Sequence, residues 1–148
     1  MMLYLDNAAT TLKKPLSVYA TLFKSTLFSG GNAGRGGHKM SMDAVRAIVD
    51  TQDLIAQLFN IKKAENIVFT QNATYALNTA ILGTMSNGGH IVVTEMDHNS
   101  VLRPACLPGN YTVVKADKSG YVHAEDVEKA VRKDTNLIVC THASNVCG

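Results

Sequence analysis

Apolar residues along this chain recur in two patterns that alternate with each other. Ala44, Ile48 and Ile55 follow the spacing of an amphipathic helix. Short continuous apolar runs, such as Ile67-Val68-Phe69, are typical of buried strands. Because strand patterns alternate with helix patterns, the sequence predicts an α/β fold with a mainly parallel sheet and flanking helices.

The boundaries of these elements follow from ordinary start and stop signals. Pro15 suits the first turn of a helix, Ser41 is suited to cap the next one, and Gly83 is suited to end the third. Helices are predicted over residues 15–28, 41–60, 74–82, 100–107 and 125–133. Strands are predicted over residues 66–70, 90–95, 111–116 and 136–144. The glycine-rich stretch from Ser29 to Ser41 is predicted to be a long loop, and such loops are often functional.

Length and composition limit the class of protein. A chain of 148 residues predicts one domain, and a scattered net charge of +2 argues against nucleic acid or a membrane surface as partner. Three sparse cysteines predict no disulfide framework and no metal site. The first residues lack the basic and apolar regions of a signal peptide, and the longest apolar runs are strand-sized. The expected location is therefore the cytoplasm.

Polar side chains follow three of the predicted strands, at the sheet edge where parallel α/β folds bind ligands. Thr74 follows the first strand, and its hydroxyl could join free helix N–H groups in binding an anion such as phosphate. The alternative is a simple helix cap by Asn72 or Thr74. His98 could act as an acid or base or lie against a flat ligand, or it could be a loop histidine. Asn145 could bind a ligand through its amide, or could be a turn residue.

Five segments occur in the same order as in a known family. They are "YLDNAATT", "GNAGRGGH", "FTQNATYALN", "EMDHNSVLRP" and "HASNVCG". With them the chain resembles the N-terminal part of the class V aminotransferases, and within that family the cysteine desulfurase branch. These enzymes depend on pyridoxal 5′-phosphate (PLP). The resemblance implies that residues 1–148 form the N-terminal part of the large, PLP-binding domain of a fold-type I transferase.

The resemblance also implies roles for cofactor-binding residues. Ala73 and Thr74 would bind the PLP phosphate through a backbone N–H and a hydroxyl. His98 would stack on the pyridine ring and serve in catalysis. Asn145 would contact the ring hydroxyl or the substrate region.

Further residues are implied near the substrate. Asn7 and Ala8 belong to the segment that lies beside the substrate in such enzymes. Arg35 and His38 belong to the glycine loop, which in related dimers reaches the partner's active site.

The reaction implied is conversion of L-cysteine to L-alanine with transfer of sulfur to the enzyme, for iron–sulfur clusters or other sulfur delivery. A homodimer and a sulfur-acceptor protein are the implied partners.

The chain has no position matching the lysine that holds PLP covalently, the aspartate at the pyridine nitrogen, the arginine for the substrate carboxylate or the cysteine nucleophile. The rest of the large domain and the C-terminal small domain are likewise unmatched, so we expect the chain alone to be inactive. Cys147 is interpreted as a small buried residue, not as that nucleophile.

Other functions stay open at this point. A related class V aminotransferase or a selenocysteine/cysteine lyase would share these segments. A chain of another class, either a non-catalytic remnant or an interaction module, would use its uncovered apolar surface to pair with a partner. A simple phosphate-binding domain is a third possibility.

Overall fold

The computed structural model describes residues 3–146, and the chain divides into two compact units at Val68. The first unit is helical. The second unit, from Phe69 onward, contains a parallel sheet. Among residues 3–146, none of the helices combines the length and the hydropathy of a membrane-spanning segment.

The first unit contains two helices, α1 (Leu16–Phe28) and α2 (Lys39–Leu58). Pro15 was predicted in the first turn of α1 but is its N-cap residue, one position before the helix, and the prediction that Ser41 caps α2 is wrong. His38 is the cap, and its ring Nδ1 accepts the Ser41 amide at 3.4 Å. Ser41 lies buried in the first turn and donates its hydroxyl to the Asn32 carbonyl at 2.9 Å. The helix therefore begins three residues earlier than a Ser41 cap would allow.

The predicted strand over residues 66–70 is wrong. A short 3-10 turn, Ala64–Asn66, occupies its start, and the residues after it pair with no strand of the described chain. Val68 is 79% exposed and Phe69 is 49% exposed. An apolar run indicates a tendency to be buried, but a strand also needs a neighbouring strand for its backbone groups.

The second unit alternates helices and strands in the predicted order. Its elements are α3 (Ala73–Thr84), β1 (His90–Thr94), α4 (Asn99–Cys106), β2 (Tyr111–Val114), α5 (Ala124–Ala130) and β3 (Thr135–Ile138). The three strands are parallel in the order β2-β1-β3, which confirms the predicted α/β class. The strands and α5 are shorter than predicted. Gly83 does not end α3, which continues to Thr84.

The core of this unit lies between β1 and the helices α3 and α4. Every residue of β1 is buried, as expected for a central strand of a parallel sheet. Side chains alternate along the strand, so Ile91 and Val93 point to the same face of the sheet. They pack with Ile81 of α3 and Val101 of α4. This packing holds α3 and α4 against the face of β1.

The opposite, amino end of the sheet is held by a buried histidine. His90 is fully buried, and its two ring nitrogens lie 2.8 Å from the Thr135 hydroxyl and 2.9 Å from the Thr112 hydroxyl. One imidazole thus joins the central strand to both neighbours. Burial, and after it the positive charge of Arg132, lower the pKa of His90 below its usual 6.5, while Asp134 acts in the opposite direction.

We expect this histidine to make folding stability depend on pH. The unfolded chain titrates at His90 near 6.5 and the folded protein at a lower pH, so the unfolded chain binds more protons in between. The contribution of His90 to the free energy of unfolding should be complete above about pH 6.5 and should decline as the pH falls toward the pKa of His90 in the folded protein.

Urea unfolding across this pH range should show the decline in the wild type and a weaker decline in His90→Gln. His142→Gln, a change at an exposed histidine, is the control and should keep the wild-type slope. Equal slopes in all three proteins would contradict the role of His90.

Candidate functional site

A cavity of about 280 Å³ lies beyond the carboxyl ends of β1 and β3 in the second unit. Its wall is formed by α3, by the turn between β1 and α4, and by the segment after β3. The lining residues are Leu77, Met96, Asp97, His98, Val101, Val139, Cys140, Thr141, Ala143 and Asn145. The structure thus brings His98 and Asn145, which are 47 positions apart in sequence numbering, into one cavity. This is the location at which parallel α/β sheets bind ligands.

The amino end of α3 offers hydrogen-bond donors without acceptors. Asn72 is the cap: its Oδ1 accepts the Tyr75 amide at 2.9 Å, and its carbonyl accepts the Ala76 amide at 3.1 Å. Within the described part of the chain, neither the amides of Ala73 and Thr74 nor the Thr74 hydroxyl has a hydrogen-bond partner. Amides and a hydroxyl at a helix N-terminus suit the oxygens of a phosphate.

Thr74 itself is not in the wall of the cavity, but its helix is. Leu77, one turn further along α3, lines the cavity. Residues three and four apart share a face of a helix, so Ala73 and Thr74 lie on the side of α3 that carries Leu77. The donors at the start of α3 therefore lie about one helical turn from the part of the helix that borders the cavity.

His98 both caps a helix and lines the cavity. It caps α4, because its Nδ1 accepts the Ser100 amide at 3.1 Å and lies 2.9 Å from the Ser100 hydroxyl. A backbone amide can only donate, so Nδ1 carries no proton and the neutral ring bears its hydrogen on Nε2. The side chain is exposed and lines the cavity, which leaves the ring face and Nε2 available to a ligand.

The segment after β3 divides its side chains between two cavities. Asn145 lines the cavity of His98, whereas His142 lines a second cavity of about 450 Å³ together with Tyr121 and Val127. Cys140 borders both cavities, and partial burial together with the negative charge of Asp97 raises the pKa of its thiol. Cys147 lies outside the described residues.

The remaining predicted site residues belong to the first unit, so their assignment to the substrate region stays a prediction. Asn7 and Ala8 are exposed, and the Asn7 amide donates to the Leu5 carbonyl at 3.1 Å. Arg35 is exposed in the glycine loop, and His38 caps α2. Residues 3–146 contain no group of three or more His, Cys, Asp or Glu side chains placed to hold a metal ion.

One buried residue of the site was not among the predicted site residues. Asp97 is only 6% exposed, lines the cavity and holds the turn that precedes His98. Its sequence signal is a threonine at the end of a strand followed three residues later by an aspartate. That spacing allows the carboxylate to fold back and accept the threonine amide, as short polar side chains do in turns.

The sequence profile described as "Aminotransferase class-V" matches residues 3–148. The chain belongs to the class V aminotransferase family. The order of the five segments therefore identified the family correctly.

Individual relatives and solved structures show which proteins the chain is similar to. The chain is 35% identical over 98% of its length to a "Probable cysteine desulfurase" of Aeropyrum pernix, of which it spans 37%. A solved "NIFS-LIKE PROTEIN" matches 98% of the chain at 25% identity with a TM-score of 0.87, and the chain covers 41% of it. A structure titled "SspA in complex with cysteine" matches 96% at 27% identity with a TM-score of 0.85, with 42% of that chain covered. The chain thus spans less than half the length of each of these class V relatives.

Proposed function

We propose that this chain forms the N-terminal part of the PLP-binding large domain of a cysteine desulfurase. One observation carries the proposal: His98 and Asn145 line a single cavity at the carboxyl ends of parallel strands, bordered by a helix whose first two amides have no partner among the described residues. The relatives described as cysteine desulfurases support this reaction over others in the family. The neighbour solved with cysteine supports L-cysteine as substrate.

The donor set at the cavity fits PLP. Ala73 and Thr74 would bind the phosphate through N–H and O–H groups that have no other partner among the described residues. His98 would lie against the pyridine ring and, with its hydrogen on Nε2, would donate a hydrogen bond at that atom and give up that proton only as Nδ1 takes one up. The Asn145 amide would contact the ring hydroxyl or the substrate. When bound, PLP supplies the electron sink for the chemistry.

The remaining parts of the proposal concern substrate and partners. Asn7 and Ala8 would lie near L-cysteine, and Arg35 and His38 would reach the active site of the second protomer in a homodimer. Sulfur taken from cysteine would pass to an acceptor protein, in the cytoplasm. The lysine that holds PLP covalently would lie outside the matched segment, so residues 1–148 alone would not catalyse the reaction.

Replacing Thr74 tests the phosphate-binding part of the proposal. The variant is made in the protein in the form that the source cell produces, called the natural protein hereafter. In that protein, Thr74→Ala removes a hydroxyl that would be bonded to a charged phosphate. Such bonds contribute about 1.5–3 kcal/mol, so PLP affinity should fall by about 10- to 100-fold. The measurement is PLP content after dialysis against increasing volumes of buffer.

The control is a threonine on the same helix. Thr79 is exposed and donates its hydroxyl to the Tyr75 carbonyl at 2.9 Å, so Thr79→Ala should retain PLP like the wild type. Equal PLP retention by Thr74→Ala and Thr79→Ala would remove Thr74 from the phosphate site.

A further inference from the structure

The two carboxylate oxygens of Asp97 are both occupied, in an almost fully buried position. Oδ2 accepts the Thr94 amide at 2.7 Å and the Thr94 hydroxyl at 2.9 Å. Oδ1 accepts the Thr141 hydroxyl at 2.7 Å. The described residues place no lysine or arginine in ion-pair contact with Asp97, so its charge is stabilised by these three donors.

The backbone explains why the Thr94 amide is available to Asp97. The amides of Ile91 and Glu95 donate to the β2 side, at the carbonyls of Asn110 and Val114. Alternation along the strand therefore turns the Thr94 amide toward β3. β3 ends at Ile138, and Asp97 accepts this amide in place of a strand partner.

The bond to Thr141 joins two segments that are far apart in sequence. Asp97 directly precedes His98 in the turn after β1, and Thr141 lies four residues before Asn145 in the segment after β3. The carboxylate therefore connects the segment that carries His98 to the segment that carries Asn145. Both segments line the same cavity.

We propose that Asp97 is a positioning residue, whose bond to Thr141 sets the placement of His98 relative to Asn145. The inference rests on the proposed function, because these two side chains are the ones assigned to the cofactor ring. A misplacement of about 1 Å at an active site can lower the rate about 100-fold, so one bridging bond has a measurable effect on turnover. Asp97 acts through its neighbours and does not itself touch the reacting atoms.

The most specific variant removes the Asp97–Thr141 hydrogen bond, called the bridge hereafter, and leaves the Thr94–Asp97 turn intact. Thr141→Val in the natural protein removes only the hydroxyl that donates to Oδ1. We expect kcat for L-cysteine to fall by about 10- to 100-fold with a much smaller change in KM. Thr141→Ser retains the hydroxyl and should restore most of the rate.

A matched control separates positioning from general loss of stability. Thr112→Val removes another threonine hydroxyl bond in the same sheet, the one to His90 at the amino end, remote from the cavity. We expect it to lower stability about as much as Thr141→Val while keeping the wild-type kcat. Equal kcat values for these two variants, or no recovery in Thr141→Ser, would overturn the positioning role.

Hydrogen exchange gives a second readout that does not depend on activity. Thr141→Val should speed amide exchange at residues 95–98 and 141–146, while Thr112→Val should leave these amides unchanged. Unchanged exchange in Thr141→Val would overturn the bridge even if activity fell. A wild-type protein that forms no alanine from L-cysteine would refute the proposed function instead, and exchange would still decide whether the bridge holds the two segments.

Discussion

Replacing His98 with asparagine should lower kcat for L-cysteine by about 100-fold or more in the natural protein. General acid–base groups contribute about 10²- to 10⁴-fold, and asparagine cannot transfer a proton in this way. Asparagine is chosen over alanine because His98 also caps α4, and asparagine is a strong cap residue. The measurement compares kcat of the wild type and the variant by steady-state kinetics at equal PLP loading. Because asparagine can still cap α4, a lower kcat reflects the loss of proton transfer and not a disrupted helix start.

His142 provides the matched control for this experiment. It is also an exposed histidine beyond a strand end, but it lines the second cavity and not the cavity of His98. His142→Asn should keep the wild-type rate. A His98→Asn protein with full activity would remove His98 from the mechanism.

Replacing Ile91 with alanine should destabilise the second unit more than any other change considered. Ile91 is 0% exposed at the centre of β1 and packs in the cluster that joins the sheet to α3 and α4. Truncating a buried isoleucine to alanine costs about 2–5 kcal/mol, from lost burial and from the cavity left behind. Since domains are stable by only about 5–15 kcal/mol, urea unfolding should show a large shift in midpoint.

An exposed isoleucine of the same sheet is the control. Ile138 ends β3 and is 45% exposed, so Ile138→Ala should cost much less than Ile91→Ala. A loss of stability in Ile91→Ala no larger than in Ile138→Ala would mean that the core does not lie between β1 and the two helices.

The strands of the second unit were predictable because their signal is local. The runs in 90–95, 111–116 and 136–144 are bounded by turn residues, and each contains a strand of the parallel sheet. The run at 66–70 has the same local signal but pairs with nothing in the described chain. Whether an apolar run becomes a strand depends on a neighbour, which periodicity does not encode.

The site was predictable only in part, for a similar reason. The rule that ligands bind at the carboxyl ends of parallel strands selected His98 and Asn145, and the structure places both in one cavity. Asp97 was not selected, because its role is a bond to Thr141, a residue 44 positions away. The cap of α2 was misassigned to Ser41 because a histidine ring can accept an amide hydrogen, which preferences for serine caps do not anticipate.

The most direct test of the central proposal is to incubate the natural protein with L-cysteine and measure alanine, together with PLP content and the mass of the intact protein. We expect bound PLP, and alanine formed in equal amount to the sulfide that a reductant releases from the enzyme-bound sulfur. Products of another type, such as pyruvate or a transaminated keto acid, would assign the chain to a different class V reaction. A natural protein that holds no PLP and forms no alanine would contradict the proposed function.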